Sequence, residues 1–166
     1  MKSKILIAAF VVVGLASVAY AAFAQILTIS GTGTATGQWN VKIISITQTN
    51  AVGATENAAP TFTDTSATFN VNLAYPGASA TYDVVVKNNG TIPAVLTTVD
   101  GVTQANAAAP TYLKYTLTGV TNGTTLAAGG ATNTATVKVE WDAASAPASS
   151  GESKAATITL NYNQNT

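Results

Sequence analysis

The 166-residue sequence contains no cysteine, no histidine and no arginine, and charged residues make up only 8% of it. Without cysteine there is no disulfide and no thiolate nucleophile. Without histidine there is no imidazole base and no His-based zinc site. Most hydrolytic and redox reactions therefore lack their usual side chains. We expect a protein that is not an enzyme and that has no catalytic residues, no metal site and no cofactor.

Net charge is also absent, since seven lysines balance seven acidic residues. Removal of a leader containing Lys2 and Lys4 would leave the chain slightly acidic. A field this weak does not attract nucleic acid or an anionic membrane surface, so we expect no nucleic-acid partner. The acidic residues are scattered and include no EF-hand loop, which predicts solvated surface and not a calcium site.

The N-terminus has the pattern of a secretion signal. A basic start, Met1–Lys4, precedes the apolar run Ile5–Ala19, and small-x-small motifs end at Ala21 and Ala24. This order of charge, apolar run and small residues predicts a signal peptide over residues 1–21, cut after Ala21 or Ala24. The alternatives are an uncleaved leader, which would be the chain's only contact with a membrane, and a type IV pilin leader whose apolar run remains as an assembly helix.

Threonine, valine, alanine, asparagine and glycine are abundant, and these residues are typical of short strands and tight turns. Apolar residues recur at every second position, the period of a half-buried strand. The clearest such segments are 67–73, 80–86, 113–117, 135–141 and 156–162. Residues 38–166 are therefore predicted to form one all-β domain, an antiparallel two-sheet sandwich of seven or eight strands.

Turn residues divide these strands. Tyr75-Pro76-Gly77, Asn89-Gly90 and Asn122-Gly123 predict reversals of the chain, the last two as hairpin turns. Pro93 predicts that the strand following Asn89-Gly90 lies at a sheet edge. Segments 50–60, 100–110 and 143–151 are predicted to be loops. The large aromatic residues are assigned to the core: Trp39, Tyr82, Tyr115 and Trp141.

Residues 22–30 are a short strand-forming segment between the leader and a glycine-spaced hinge. Phe23, Leu27 and Ile29 share one face of a strand, and Ile26 lies on the other face. We predict that these four residues anchor a donor strand. Burial of the three on one face is worth roughly 5 to 9 kcal/mol before ordering costs. The predicted hinge covers residues 31–37 and contains Gly31, Gly33 and Gly37.

Several motifs resemble the TasA/camelysin family of secreted fibre-forming proteins, which includes similar archaeal bundling-pilus subunits. The resemblance is carried by Gly33-Thr34-Ala35, Trp39-Asn40-Val41-Lys42, the turn 75–79, and the strand 82–87 that leads into residues 88–94. It implies a jelly roll whose N-terminal strand inserts into the next subunit, which is donor-strand complementation. Some family members are described as metallopeptidases, but a chain without histidine cannot form their His-based zinc site.

Together these features predict a structural subunit of an extracellular, cell-surface filament, either a pilus or a biofilm matrix fibre. Its partner is itself, in a head-to-tail homopolymer that can also bundle laterally. Three alternatives remain open: a type IV pilin-like subunit, a monomeric cell-surface adhesion or binding module, and a tail that folds back into its own domain. Two sequons, at Asn89 and Asn122, are candidate N-glycosylation sites, although Asn-Gly is equally typical of hairpin turns.

N-terminal sequencing of the exported protein tests the leader prediction. The mature chain is expected to begin at Ala22 or Gln25, because small-x-small motifs end at the preceding residues. A chain beginning near Ile5 would contradict this prediction and identify a pilin-like subunit that retains its apolar helix.

Overall fold

The computed structural model describes residues 28–145 and 152–165. The chain divides into two compact units, residues 1–35 and residues 36–166. In the first unit, the described residues 28–35 have no helix or strand and are exposed. The second unit contains every described helix and strand. Among the described residues, none of the helices is long and apolar enough to cross a membrane.

Nine strands and one short helix make up the described part of the second unit. In chain order they are β1 (Val41–Val52), β2 (Ala54–Phe62), β3 (Ala67–Leu73), β4 (Ser79–Asn88), β5 (Ala94–Asp100), α1 (Val102–Ala107), β6 (Leu113–Thr118), β7 (Thr125–Leu126), β8 (Thr132–Trp141) and β9 (Thr159–Gln164). The strands form three antiparallel sheets, with orders β1-β4-β8-β6, β2-β3 and β7-β5-β9. The all-β prediction is confirmed.

The core lies on one face of the four-stranded sheet. Alternation along β4 buries Ala80, Tyr82, Val84 and Val86. In β8, the residues opposite Ala80, Tyr82 and Val84 in register are also apolar, whereas Val86 lies opposite Asn133. An apolar surface therefore crosses most of the two central strands. Residues of β3 and of the β7-β5-β9 sheet pack against this surface, and the Phe69 ring stacks on Tyr82 with centroids 4.2 Å apart. The two smaller sheets thus cover one face of the larger sheet.

Two segments predicted as loops have regular structure. β1 extends to Val52 and β2 occupies most of the predicted loop 50–60, while α1 lies within the predicted loop 100–110. The ladder between β2 and β3 contains two register shifts, so β2 does not show a regular alternation that the sequence could reveal. Gly53, with φ of 56°, permits the reversal between β1 and β2. α1 has only six residues, too few to show a helical period.

The strands before and after the turn at Tyr75 do not pair with each other. The turn after Tyr75 exists, since the Ala78 N–H donates to the Tyr75 carbonyl at 3.0 Å. However, β3 pairs with β2, and β4 lies between β1 and β8. A turn motif reverses the chain but does not decide which sheet the next strand joins, and here the chain crosses from one sheet to another.

The hairpin and the edge strand predicted around Asn89-Gly90 were wrong. β5 does not pair with β4 but is the central strand of β7-β5-β9. Pro93 is compatible with a central strand because it precedes the first ladder residue, Ala94, and its carbonyl accepts a hydrogen bond from the Asn165 N–H at 2.9 Å. The predicted strand 156–162 is shifted, since β9 begins only at Thr159.

Asn88 joins the end of β4 to the turn and to β7. It is fully buried. Its Nδ2 donates to the carbonyls of Ile92 at 2.8 Å and Leu126 at 3.3 Å, and its Oδ1 accepts from the Gly90 N–H at 3.0 Å. A buried amide with all these partners stabilises the turn, because each partner would otherwise lose a hydrogen bond away from water.

Substitution Asn88→Ala is expected to lower the free energy of unfolding by about 2 to 3 kcal/mol, since it removes these bonds and leaves buried polar groups unpaired. The neighbouring exposed Asn89 provides the matched control, because Asn89→Ala should change stability by less than about 0.5 kcal/mol. Urea unfolding followed by circular dichroism measures both. Equal effects for the two variants would contradict this role of Asn88.

Candidate functional site

A groove of about 520 Å³ opens between β3 and the segment 152–154. Residues 69–74 of β3 and its C-terminal end line one side, together with Asn57 of β2. The opposite side is formed by residues 152–154, which precede β9. Tyr115 of β6 and Val139 of β8 belong to the buried face of the four-stranded sheet, so they form the floor. The groove therefore lies between β3 and the segment that precedes β9, above the common core.

One side of the groove has an unpaired strand edge, that of β3, and the chain that forms the other side continues into β9. In the described residues, β3 is the outer strand of β2-β3, and β9 is the outer strand of β7-β5-β9. An unpaired edge presents N–H and C=O groups that can pair with an added strand. The two edges belong to sheets that cover the same core face. A strand added in the groove would have the β3 edge as its backbone partner.

The chemical character of the groove is apolar at its floor and polar at its rim. The rim has several amides, of which the Asn57 Nδ2 donates to the Asn70 Oδ1 at 3.0 Å. Among the described residues, no three His, Cys, Asp or Glu side chains gather where they could hold a metal ion. The groups present offer apolar contact and main-chain hydrogen bonds, which suit an extended peptide.

Side-chain contacts hold the 152–154 wall in place. Lys154 Nζ donates to the carbonyls of Pro110 at 3.0 Å and Leu113 at 2.8 Å. The Tyr115 hydroxyl donates to the Lys154 carbonyl at 2.7 Å, and the Tyr112 hydroxyl donates to the Glu152 carboxylate. The wall is therefore fixed to β6 and the segment before it, although residues 152–158 belong to no strand.

These contacts shift the pKa values of the wall's titratable groups. Burial lowers the pKa of the Lys154 amine and raises the pKa of the Tyr115 phenol. The hydrogen bond to Glu152, with smaller effects from burial and from the carboxylate charge, raises the pKa of Tyr112 to about 12. All three shifts follow from the placement of the wall against the sheet.

The groove lies at the opposite end of the second unit from the point where the chain enters it. We define the proximal end by Gln38 and Thr91, where the Gln38 N–H donates to Thr91 Oγ1 and the Thr91 N–H to the Gln38 carbonyl, both at 2.9 Å. The distal end contains Ala74 and Trp141, which lie beside Gly53 and Ala78 at the far ends of β1 and β4. The ten residues of β4 separate these ends by about 30 Å.

The predicted donor-strand anchors are only partly described. Ile29 lies outside any strand and is 95% exposed, whereas Phe23, Ile26 and Leu27 lie outside the described residues. Of the predicted hinge residues, Gly31 and Gly33 have open space where a Cβ would lie. A Cβ on Gly37 would be 2.8 Å from Ile92 Cδ1, so a larger residue there would require the Ile92 side chain to shift.

The aromatic predictions divide between the core, the surface and the groove. Tyr82 and Tyr115 are buried, as predicted. Trp39 is 45% exposed, so its assignment to the core was wrong, because it precedes the first residue of β1 and lies beyond the sheet. Trp141 is only partly buried and lines the groove, where its ring centroid lies 5.5 Å from that of Tyr112.

Sequence reasoning missed Asn57, Tyr112 and Lys154 as groove residues. They lie far apart in the chain and none belongs to a motif, so the signal that could have found them was the order of strands, which the turns did not specify. Comparisons of the chain with family models, curated proteins and solved structures found no match. The resemblance to the TasA/camelysin family therefore stays a prediction.

The buried tyrosines give stability a defined dependence on alkaline pH. Burial raises the pKa values of Tyr82, Tyr115 and Tyr162, so unfolded tyrosines release protons first, near pH 10. Their contribution to stability is present below that pH and is lost as pH rises through the folded values. The lowered pKa of Lys154 has the opposite effect on stability. Between its folded and unfolded pKa values, the unfolded chain keeps the lysine proton longer than the folded chain does, so this group makes stability rise with pH.

Tyr115→Phe is expected to lower the free energy of unfolding at pH 8 by about 1 kcal/mol, because the bond to the Lys154 carbonyl is lost. The substitution should also reduce the further loss of stability between pH 8 and 11, because it removes one phenol whose pKa is raised in the folded state. Urea unfolding at several pH values measures both effects, with the half-exposed Tyr75→Phe as control. An alkaline slope identical to the wild type would contradict the assignment.

Proposed function

We propose that this protein is the structural subunit of an extracellular filament, a pilus or biofilm matrix fibre, that polymerises by donor-strand complementation. The observation that carries the proposal is the groove between β3 and residues 152–154, which has an apolar floor and an unpaired strand edge on β3. The occupant is the segment 22–30 of a second copy. The chain is exported through its leader and acts outside the cell.

A donor strand in this groove would complete the fold. Placed between β3 and β9, it joins β2-β3 to β7-β5-β9 and makes one continuous sheet from the two smaller ones. The completed molecule is then a two-sheet sandwich of the jelly-roll kind. The seven residues Phe23–Ile29 match the seven residues of β3 in length. Phe23, Leu27 and Ile29 would face Tyr115 and Val139 on the groove floor.

The positions of the two ends favour an open, head-to-tail polymer. The chain enters the second unit at the proximal end, and the groove opens at the distal end. A second copy can therefore place its proximal end against the distal end of the first and donate its tail. Because donor and acceptor surfaces differ, the same contact repeats without closing, which produces a filament.

This arrangement fixes the direction of the donor strand. Its C-terminal residues, nearest the hinge of the donating copy, lie at the distal mouth of the groove, and its N-terminal residues lie deeper. It then runs parallel to β3, whose Leu73 is at the distal end and whose Ala67 packs nearer the middle. A tail that folded back into its own domain would come from the proximal end and run the opposite way.

Engineered cysteines distinguish these two directions, because the natural chain has none. Thr28 and Asn72 both lie on outward faces, and head-to-tail donation places them side by side at the groove mouth. Adjacent strands bring Cα atoms to about 5 Å, which suits a disulfide. Exported Thr28→Cys/Asn72→Cys protein is therefore expected to give a ladder of covalent multimers after oxidation, read by non-reducing gel electrophoresis.

The matched control is Thr28→Cys/Thr68→Cys, since Thr68 is also exposed on β3 but lies at its other end. It should give no ladder. A monomeric cross-link in this control, with no ladder in the Asn72 variant, would show that the tail folds back and would contradict the proposal. Deletion of residues 22–30 should in turn leave subunits without filaments in electron micrographs, and filaments of normal length would be incompatible with strand donation.

A further inference from the structure

We infer that Asn89 and Asn122 carry N-linked glycans. The modification rests on the proposed export of the chain but not on strand donation. Asn89-Gly90-Thr91 follows β4, and Asn122-Gly123-Thr124 precedes β7. Both asparagines are exposed. Sequons at exposed turns are accessible to a glycan without disturbing the core.

The fold explains why glycine follows each of these asparagines. A Cβ at Gly90 would overlap the Gln38 carbonyl oxygen, so close approach of the two segments requires glycine. Gly123 has φ of 89°, which favours glycine in the turn closed by the Thr124 N–H and the Thr121 carbonyl at 2.9 Å. The glycines are therefore structural.

The fold does not explain the asparagines. In a two-residue hairpin turn of the Asn-Gly type, asparagine itself adopts positive φ. Among the described residues, however, only glycines have positive φ, so neither pair forms such a turn. Hairpin chemistry, the competing explanation for these Asn-Gly pairs, is thereby removed.

Asn88 differs from the two sequon asparagines in its surroundings. Asn88 is fully buried and makes three side-chain hydrogen bonds, as expected of an asparagine that the fold requires. In the described part of the chain, the side chains of Asn89 and Asn122 make no hydrogen bond and remain exposed. A glycan attached to either amide before folding can therefore remain in solvent in the folded domain.

The threonines of both sequons are engaged in the folded domain. Thr91 Oγ1 accepts from the Gln38 N–H and Thr124 Oγ1 from the Thr121 N–H, each at 2.9 Å. A transferase that reads the hydroxyl must therefore act before these turns close, during export. Both sites lie toward the proximal end, since Asn89 pairs with Asn40 and Gly123 with Leu96. Glycans there leave the distal groove unobstructed.

The reaction requires a lipid-linked oligosaccharide and a membrane-bound transferase from the producing cell. The asparagine Nδ2 forms a bond to C1 of the first sugar. The bond from C1 to the lipid phosphate oxygen breaks, and its electron pair leaves with the phosphate. The amide loses one proton to a base of the transferase.

Mass spectrometry of the protein secreted by its natural host tests this inference. The intact mass is expected to exceed that of the mature polypeptide by two glycans, and fragmentation should place one on Asn89 and one on Asn122. Asn89→Gln and Asn122→Gln should each remove one glycan mass. Thr124→Ser, which keeps the sequon, and Asn163→Gln, an exposed asparagine outside any sequon, should remove none.

An intact mass equal to that of the polypeptide, or recovery of either sequon peptide without a glycan, would overturn the assignment for that site. The wild-type measurement alone decides this if a variant fails to fold. The mass is measured on denatured chains. A negative result for glycosylation is therefore independent of whether the protein forms filaments.

Discussion

The apolar face of the four-stranded sheet is the constraint on which the rest of this structure depends. Alternation in β4 and β8 places a continuous set of aliphatic and aromatic side chains on one side, and such a surface is stable only when covered. Two separate sheets provide the cover, and a groove with Tyr115 and Val139 on its floor remains beside β3. The same packing that stabilises the domain therefore leaves the β3 edge open to an added strand.

The 152–154 wall of the groove is held in place by contacts within the subunit itself. Lys154 would be costly to desolvate, but two carbonyls satisfy its amine, and the Tyr115 hydroxyl fixes its backbone. Because this wall is already fixed, little conformational entropy of the groove would be lost when a strand binds. In the proposed filament, ordering would then be needed mainly in the incoming segment 22–30, which the glycine-spaced residues 31–37 would allow to leave its own domain.

The sequence predicts the strands that alternate regularly between buried and exposed residues. It does not predict features that depend on which strands lie side by side. β3, β4, β6 and β8 were predictable because each buries every second residue against one core. β2 was not, since bulges in its ladder disrupt the alternation. Pairing was not predictable either, because the turns after Tyr75 and Asn88 carry the chain between sheets. The groove depends on which strands pair with each other. Its lining residues Asn57, Tyr112 and Lys154 therefore could not be predicted before the strand order was known.

The lack of cysteine and the low charge determine how strongly such a polymer can hold together. Without cysteine, no disulfide could cross a junction, and the described residues form only three ion pairs. Cohesion of the proposed polymer would therefore rely on buried apolar side chains and a backbone ladder. Side-chain burial of roughly 5 to 9 kcal/mol, before ordering costs, would alone give an affinity no tighter than about micromolar. In the proposed filament, however, an interior subunit would both donate and accept a strand. Its release would require two junctions to open at once, which would confine exchange to filament ends despite modest single contacts.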